Sequence, residues 1–117
     1  MNSRNKGKRG ELEFANKMTA YGWSCRRSQQ FCGAAGDADL QCELPLHIEV
    51  KRVQRLNIQD AVDQAVRESD WRMPTVAHRK NHCAWNLTFP ADLFLEVIAP
   101  NVDWDQVERY LRLTHRK

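Results

Sequence analysis

The chain has 117 residues, of which 42% are hydrophobic and 28% charged, a composition typical of a globular protein. A chain of this length forms one domain and buries a core without disulfides or a metal. No apolar run approaches the roughly 20 residues of a membrane span, and no apolar segment of a signal peptide follows the basic N-terminus. We therefore expect a cytoplasmic protein, in a bacterium or a phage-infected host, that makes no contact with membranes.

The net charge of +3 is unevenly distributed along the chain. Basic residues outnumber acidic ones before Asp37, and the chain ends on Arg116 and Lys117. Basic ends suit a polyanion such as nucleic acid, because contacts with phosphates give affinity without sequence preference. Solvated tails that promote solubility are the alternative interpretation.

The predicted elements alternate between helices and strands. Residues 1–9 are predicted to form a flexible basic arm, and residues 10–117 the folded domain, which begins with a helix at residues 10–20. The elements predicted after this helix are, in order, a strand at 23–27, a small-residue loop at 28–36, a hairpin of strands 39–42 and 46–53, a helix at 58–68 capped by Asn57, paired strands at 75–78 and 83–89, and helices at 92–97 and 102–113. This order predicts a single α/β domain with a mixed sheet of about five strands, flanked by helices.

Two glutamates of the first predicted helix differ in position. Glu11 falls in the middle of the apolar stripe that contains Phe14 and Met18, whereas Glu13 points away and has Lys17 four residues later, as in a solvated surface pair. A carboxylate on a stripe that faces the core needs a cation or hydrogen-bond donors. Glu11 therefore requires a partner from elsewhere in the fold, unless the N-terminal amides of its own helix stabilise it.

The stretch HIEVK at residues 47–51 combines a buried strand with charged residues. Ile48 and Val50 share one face of the strand, and His47, Glu49 and Lys51 share the other. The side chain of His47 lies about 7 Å upstream of Glu49, at the usual rise per residue of a strand. We therefore interpret His47 as a neighbour of a site rather than as a general base. One face of this strand is typical of a core, and the other is typical of a reactive site.

Two aspartates precede the neighbouring strand, in the stretch GDADL. Asp39 lies directly before Leu40 and is better placed than Asp37 to reach Glu49, although the sequence leaves the choice between the two open. Converging carboxylates form the oxygen-rich site that magnesium or manganese prefers, with water and phosphate as the remaining ligands. Lys51, on the same face, would orient or deprotonate an attacking water or stabilise charge on the phosphate.

These residues resemble the PD-(D/E)XK nuclease superfamily: Gly36-x-x-Asp39 is followed by Glu49-x-Lys51, with a helical glutamate upstream. Ala38 replaces the proline of the motif. More closely, KGKRGELEF at residues 6–14, GWSCRRS, the glycine-rich loop and HIEVKR look like the small archaeal and phage Holliday junction resolvases, over roughly residues 6–66. The resemblance implies a restriction-endonuclease-like fold and a DNA endonuclease that prefers branched DNA such as a four-way junction.

The resemblance also implies roles for individual residues. Asp39 and Glu49 would bind Mg²⁺ or Mn²⁺, and Lys51 would be the catalytic lysine. Glu11 would complete the metal site, holding a metal-bound water or a second ion. Related nucleases place a glutamine from the following helix beside the lysine. Gln64 lies at a border of that helix's apolar face, from which it turns either toward the site or to a local hydrogen bond.

Partners follow from charge and symmetry. Paired cuts in a two-fold junction favour a homodimer, with an interface around residues 93–98 or on the Val107 and Leu111 helix. The alternatives are a flap or general nuclease of the same superfamily, a non-catalytic DNA-binding module and a protein-interaction domain. The residues predicted to contact the DNA backbone are Lys6, Lys8, Arg9, Arg52, Arg79 and Lys80.

Overall fold

The computed structural model describes residues 3–28 and 38–114, with side chains described from residue 7 onward in the first helix. Its elements are, in chain order, α1 (Ser3–Ala20), β1 (Cys25–Arg27), β2 (Leu40–Cys42), β3 (Leu46–Arg52), α2 (Ile58–Glu68), β4 (Met73–Arg79), β5 (Asn86–Thr88), α3 (Ala91–Leu93) with a π-helical turn (Phe94–Ile98) and a 3₁₀ turn (Ala99–Asn101), and α4 (Trp104–Thr114). None of the described helices is long and apolar enough to cross a membrane.

The five described strands form one mixed sheet in the order β1-β2-β3-β4-β5. Strands β3 and β4 are parallel and are connected through α2, whereas the other neighbouring pairs are antiparallel. The predicted hairpin is present, with Leu40 opposite Ile48, and the last two strands pair as predicted. The predicted single α/β domain, with a mixed five-stranded sheet flanked by helices, is confirmed.

Two helices cover opposite faces of the sheet. Helix α1 buries Phe14, Ala15 and Met18 against Ile48 and Val50 of β3, which places the even-numbered β3 residues on its face. Helix α2 buries Ala61 and Ala65 against Val76 on the other face. Because side chains alternate along a strand, His47, Glu49 and Lys51 point toward α2. The candidate site therefore lies on the α2 face.

Helix α2 begins where the sequence predicts. The Asn57 side chain accepts a hydrogen bond from the backbone N–H of Asp60 at 3.1 Å, which satisfies one of the free amides of the first turn. The helix ends at Glu68, and the N–H of Ser69 donates to the Ala65 carbonyl at 2.9 Å. Its position brings Gln64 and Glu68 over β3.

Helix α1 begins at Ser3, seven residues before the predicted start at Gly10. Residues 3–9 contain no apolar repeat, so periodicity gave no signal, but extending a helix that is already anchored costs little. Gly10 is buried because α1 crosses β3 closely here: a Cβ at this position would lie 3.0 Å from Cβ of Arg52. The division into an arm and a domain at residue 9 stays a prediction.

Strand β1 is shorter than predicted because α1 extends its capping into residues 21–24. The Trp23 N–H donates to the Met18 carbonyl at 3.0 Å, and Gly22 adopts a φ of +92°, so Trp23 belongs to the end of the helix. The short helix predicted at residues 92–97 is a three-residue α-helix followed by a π-helical turn, and Pro90 precedes it as its N-cap.

Candidate active site

Asp39 is fixed over β3 by two hydrogen bonds. Its backbone N–H donates to the Ile48 carbonyl at 3.0 Å, and its Oδ2 accepts from the N–H of Val50 at 2.8 Å. These bonds hold the carboxylate beside Glu49, between the ends of the hairpin strands. The structure therefore brings Asp39 and Glu49 together, whereas Asp37 lies outside the described residues.

Glu49 is a buried carboxyl with acidic neighbours. It is 3% exposed, and burial, followed by the charge of Asp39 and the proximity of Glu68, raises its pKa to about 9. Nε2 of His47 lies 3.0 Å from its Oε1. Burial is also the largest cause of a lowered pKa for His47, with Arg72 as a further cause, so the imidazole favours its neutral form. The neighbours of Glu49 thus leave its negative charge poorly compensated.

Glu68 belongs to this cluster, although no motif in the sequence pointed to it. One potential ligand atom from each of His47, Glu49 and Glu68 lies within 4.8 Å of the others. Glu68 comes one helical turn after Gln64, whose Nε2 donates to Glu68 Oε2 at 3.4 Å. Applying the i to i+4 rule to Gln64 would have identified it, because residues four apart share a helix face.

Lys51 lies one alternation beyond Glu49 on the same face of β3. Its Nζ donates to Oε1 of Gln64 at 3.1 Å, and both side chains are half-buried. Gln64 thus turns toward β3 and accepts a hydrogen bond from the lysine. An amide that receives from the ammonium and donates to Glu68 restricts the position of the lysine without neutralising it.

Glu11 reaches the edge of this region but has a cationic partner. Its Oε1 accepts from Nε of Arg27 at 2.9 Å. Burial raises the pKa of Glu11, the hydrogen bond from Arg27 lowers it, and the charge of Asp39 raises it again, leaving the pKa above its ordinary value. Arg27, which lies in the GWSCRRS stretch, was not predicted as a site residue. Glu11 is outside the group formed by His47, Glu49 and Glu68.

The expectation that Glu13 is a solvated partner of Lys17 is wrong. Its Oε1 lies 2.8 Å from Nη1 of Arg79 and accepts from Nε1 of Trp85 at 2.9 Å, and its Oε2 lies 3.4 Å from Nε of Arg52. Lys17 instead places its Nζ 5.6 Å from the ring centroid of Tyr21. Strand alternation explains the network, because Arg52 shares the α1 face with Ile48 and Val50.

The six residues predicted to contact DNA fall into different environments. Arg52 and Arg79 are partly buried partners of Glu13, so their position on the α1 face does not favour the predicted contact with a DNA backbone. Lys8, Arg9 and Lys80 are exposed. Lys6 lies in α1, in the part whose side chains are not described.

The mixed sheet, with Glu49 and Lys51 on its third strand, forms a resolvase-like α/β fold together with the helices that flank it. Among solved structures, the chain is similar to Hjc, a Holliday junction resolvase from the archaeal hyperthermophile Archaeoglobus fulgidus. The TM-score is 0.56 at 22% sequence identity, and the match covers 71% of this chain and 76% of the other. No family model and no curated protein sequence matches the chain. The predicted resemblance to the resolvases is confirmed as a likeness of fold.

Proposed function

We propose that the protein is a divalent-metal-dependent endonuclease that hydrolyses phosphodiester bonds in DNA, with branched DNA such as a four-way junction as its preferred substrate. The observation that carries this proposal is the meeting of Asp39 and Glu49 beside Lys51 on one face of β3. The likeness to a protein named as a Holliday junction resolvase supports the branched substrate.

The donor atoms fit a hard divalent cation. Asp39 and Glu49, with Glu68 close by, provide carboxylate oxygens, which Mg²⁺ and Mn²⁺ prefer. The raised pKa of Glu49 reflects a negative charge that lacks compensation, and a cation would provide it. Bound there, the ion would neutralise charge on the phosphate during an in-line displacement. Glu11 would join these ligands only by giving up its bond to Arg27.

The remaining residues position the reacting groups. Lys51, fixed by Gln64, would donate a hydrogen bond to the phosphate or orient the attacking water, and its charge would stabilise the transition state. The buried His47 would hold the Glu49 carboxylate in place through the 3.0 Å contact. Arg27 would keep Glu11 oriented at the edge of the site.

A homodimer would supply the two active sites that paired cuts require. The two predicted interface regions both expose apolar side chains: Leu95 and Val97 follow α3, and Leu111 lies on α4. These exposed residues support self-association without deciding between the two regions. Sedimentation of the purified protein with and without junction DNA would measure its oligomeric state.

Cleavage of labelled four-way junction, flap and linear duplex DNA, each with magnesium and with a chelator, tests the proposal. Paired, magnesium-dependent cuts confined to the junction are the expected result. Cutting of all three substrates would support the nuclease activity but contradict the preference for junctions. Tight binding without cutting under any metal condition would instead favour a non-catalytic DNA-binding module.

A further inference from the structure

A basic cleft lies next to the candidate active site, at the carboxyl ends of the parallel strands β3 and β4. Its volume is about 570 Å³, and it lies between the loop after β3 and the end of β4. The charged and polar side chains that line it are Arg55, Arg79, Lys80, Gln54, Asn57 and His78. In open α/β sheets this edge is where ligands commonly bind.

The basic cleft adjoins the candidate active site. A second cleft, of about 470 Å³, lies between them and shares Val53, Leu56 and Asn57 with the basic cleft. The charged and polar side chains that line this second cleft, besides Asn57, are Lys51, Gln64, Arg67, Asp60 and Asp63. The two adjacent clefts are here together called the basic groove, which extends from Lys51 to Arg55 and Lys80.

Charge distinguishes the two ends of the basic groove. No carboxylate is among the described residues that line the basic cleft. At the other end of the groove, Asp39, Glu49 and Glu68 lie near Lys51, and the second cleft adds two more carboxylates. Carboxylates repel a polyanion, so a phosphate near Lys51 needs favourable contacts further along the same strand. Arg55 and Lys80 supply positive charge at that position.

Hydrogen bonds preorganise the walls of the basic cleft. The Oε1 of Gln54 accepts from the N–H of Asn81, which ties the loop after β3 to the turn after β4. Nε2 of His78 lies 2.8 Å from Oγ1 of Thr88. Arg79 is bound to Glu13 below the cleft, whereas Arg55 and Lys80 are exposed at its surface. The last two are therefore the side chains best placed to meet a ligand.

We infer that the basic groove binds the backbone of the DNA strand being cut, with Arg55 and Lys80 contacting phosphates that flank the scissile one. The identity of the polyanion rests on the proposed function. Arg55 follows Lys51 by four residues, in the loop after β3, so the contacted phosphates lie beside the scissile one on the side of the basic cleft.

Binding measured in chelator tests the groove without requiring cleavage. The probe is a labelled four-way junction, titrated at several salt concentrations with wild type, Arg55→Gln, Lys80→Gln and the double variant. Each single variant is expected to weaken binding several-fold and to reduce the slope of log K against log salt by about 1. Lys17→Gln is the matched control, because Lys17 is exposed on α1 away from the groove and should leave affinity and slope unchanged.

Neutral backbone substitution then locates the contact. Single methylphosphonates are placed in turn at the phosphates that flank the scissile one. At the contacted position the substitution should weaken binding by wild type but have a much smaller effect on the double variant, because the basic side chains that it would meet are already lost. A double variant that binds with wild-type affinity and slope would reject DNA binding by the basic groove, even if the wild type cuts DNA. Reduced affinity of the variants in a protein that never cuts DNA would support binding by the groove and reject the proposed nuclease activity.

Discussion

The two faces of β3 differ in whether their charged side chains have partners of opposite charge. On the α1 face, Arg52 meets Glu13, which also binds Arg79 and Trp85, so positive and negative groups alternate. On the α2 face, Glu49 is buried beside Asp39 and Glu68. Both clusters derive from a single strand, HIEVKR, through the alternation of its side chains. A charged side chain in a buried strand therefore indicates a functional site only where no group of opposite charge compensates it.

The compensated cluster on the α1 face contributes to stability, whereas the uncompensated cluster on the α2 face is suited to function. The partly buried ion network around Glu13 helps to hold α1 on the sheet, because removing one member leaves the others desolvated. A cluster of like charges does the reverse: it opposes folding and persists because the surrounding structure fixes it. Strongly perturbed carboxyl groups in such clusters favour a functional role. Five experiments test this contrast, starting with the largest expected effect.

Replacing Glu49 by Gln, or Lys51 by Ala, should reduce cleavage by roughly 100-fold or more, since each removes a charge that acts on the transition state. Binding of junction DNA in chelator should change far less than cleavage, by no more than the several-fold loss expected for one phosphate contact. Single-turnover cleavage and equilibrium binding, measured on the same preparations, separate the two effects. Lys17→Ala is the matched control for Lys51→Ala. Cleavage at the wild-type rate by either Glu49→Gln or Lys51→Ala would contradict the assignment of these residues to the active site.

The stability of the metal-free protein should depend on pH through Glu49. Its pKa in the folded protein is about 9, against an ordinary value of 4.5, so between these values the folded state holds a proton that the unfolded chain releases. The free energy of unfolding is therefore highest below pH 4.5, as far as this group is concerned, and falls as pH rises toward 9. Urea unfolding across this range should show the decline, and Glu49→Gln should reduce it.

Metal binding should show the opposite pH dependence. A cation must displace the proton on Glu49, so its apparent affinity should rise with pH up to about 9, and binding should release protons. Calorimetric titration of Mn²⁺ in buffers with different ionisation enthalpies measures both quantities. Binding that neither varies with pH nor releases protons would contradict Glu49 as a ligand.

Glu13→Gln tests the α1 face. The substitution leaves Arg52 and Arg79 without their anion, and we expect it to lower the free energy of unfolding by about 1–2 kcal/mol. Glu108→Gln is the control, because Glu108 forms an exposed pair with Arg112 on α4 that is worth only a few tenths of a kcal/mol. Equal effects of the two substitutions would show that the Glu13 network contributes no more than a surface pair.

Sequence patterns predicted the elements that rest on alternation and capping. The hairpin, the Asn57 cap and the face shared by Glu49 and Lys51 all follow from local rules. Gln64 also lay within reach of such reasoning. These rules act within a strand or within one helical turn, so they do not require the path of the chain to be known.

Partners brought together across the fold were not predictable in the same way. Arg27 reaches Glu11 and Trp85 reaches Glu13 only because β1 and the segment before β5 pack beside α1, and helix periodicity contains no information about either contact. The wheel of α1 correctly placed Glu11 near the core but wrongly assigned Glu13 to solvent. Glu13 does point away from the apolar stripe of the wheel, but Arg52, Arg79 and Trp85 approach it from other elements, which a single-helix wheel does not include.

The smallest effect concerns two glycines of α1 and tests where this helix begins. Gly7→Ala meets no atom within 4 Å, so it should raise the free energy of unfolding by roughly 0.5–1 kcal/mol through helix propensity. Gly10→Ala places a methyl 3.0 Å from Cβ of Arg52. That contact should push α1 from β3 and cost roughly 1 kcal/mol despite the same propensity gain. If residues 1–9 were a flexible arm, Gly7→Ala would change nothing in urea unfolding. Opposite signs at the two positions would show instead that α1 is helical at Gly7 and that its approach to β3 at Gly10 sets the distance between Glu13 and Arg52.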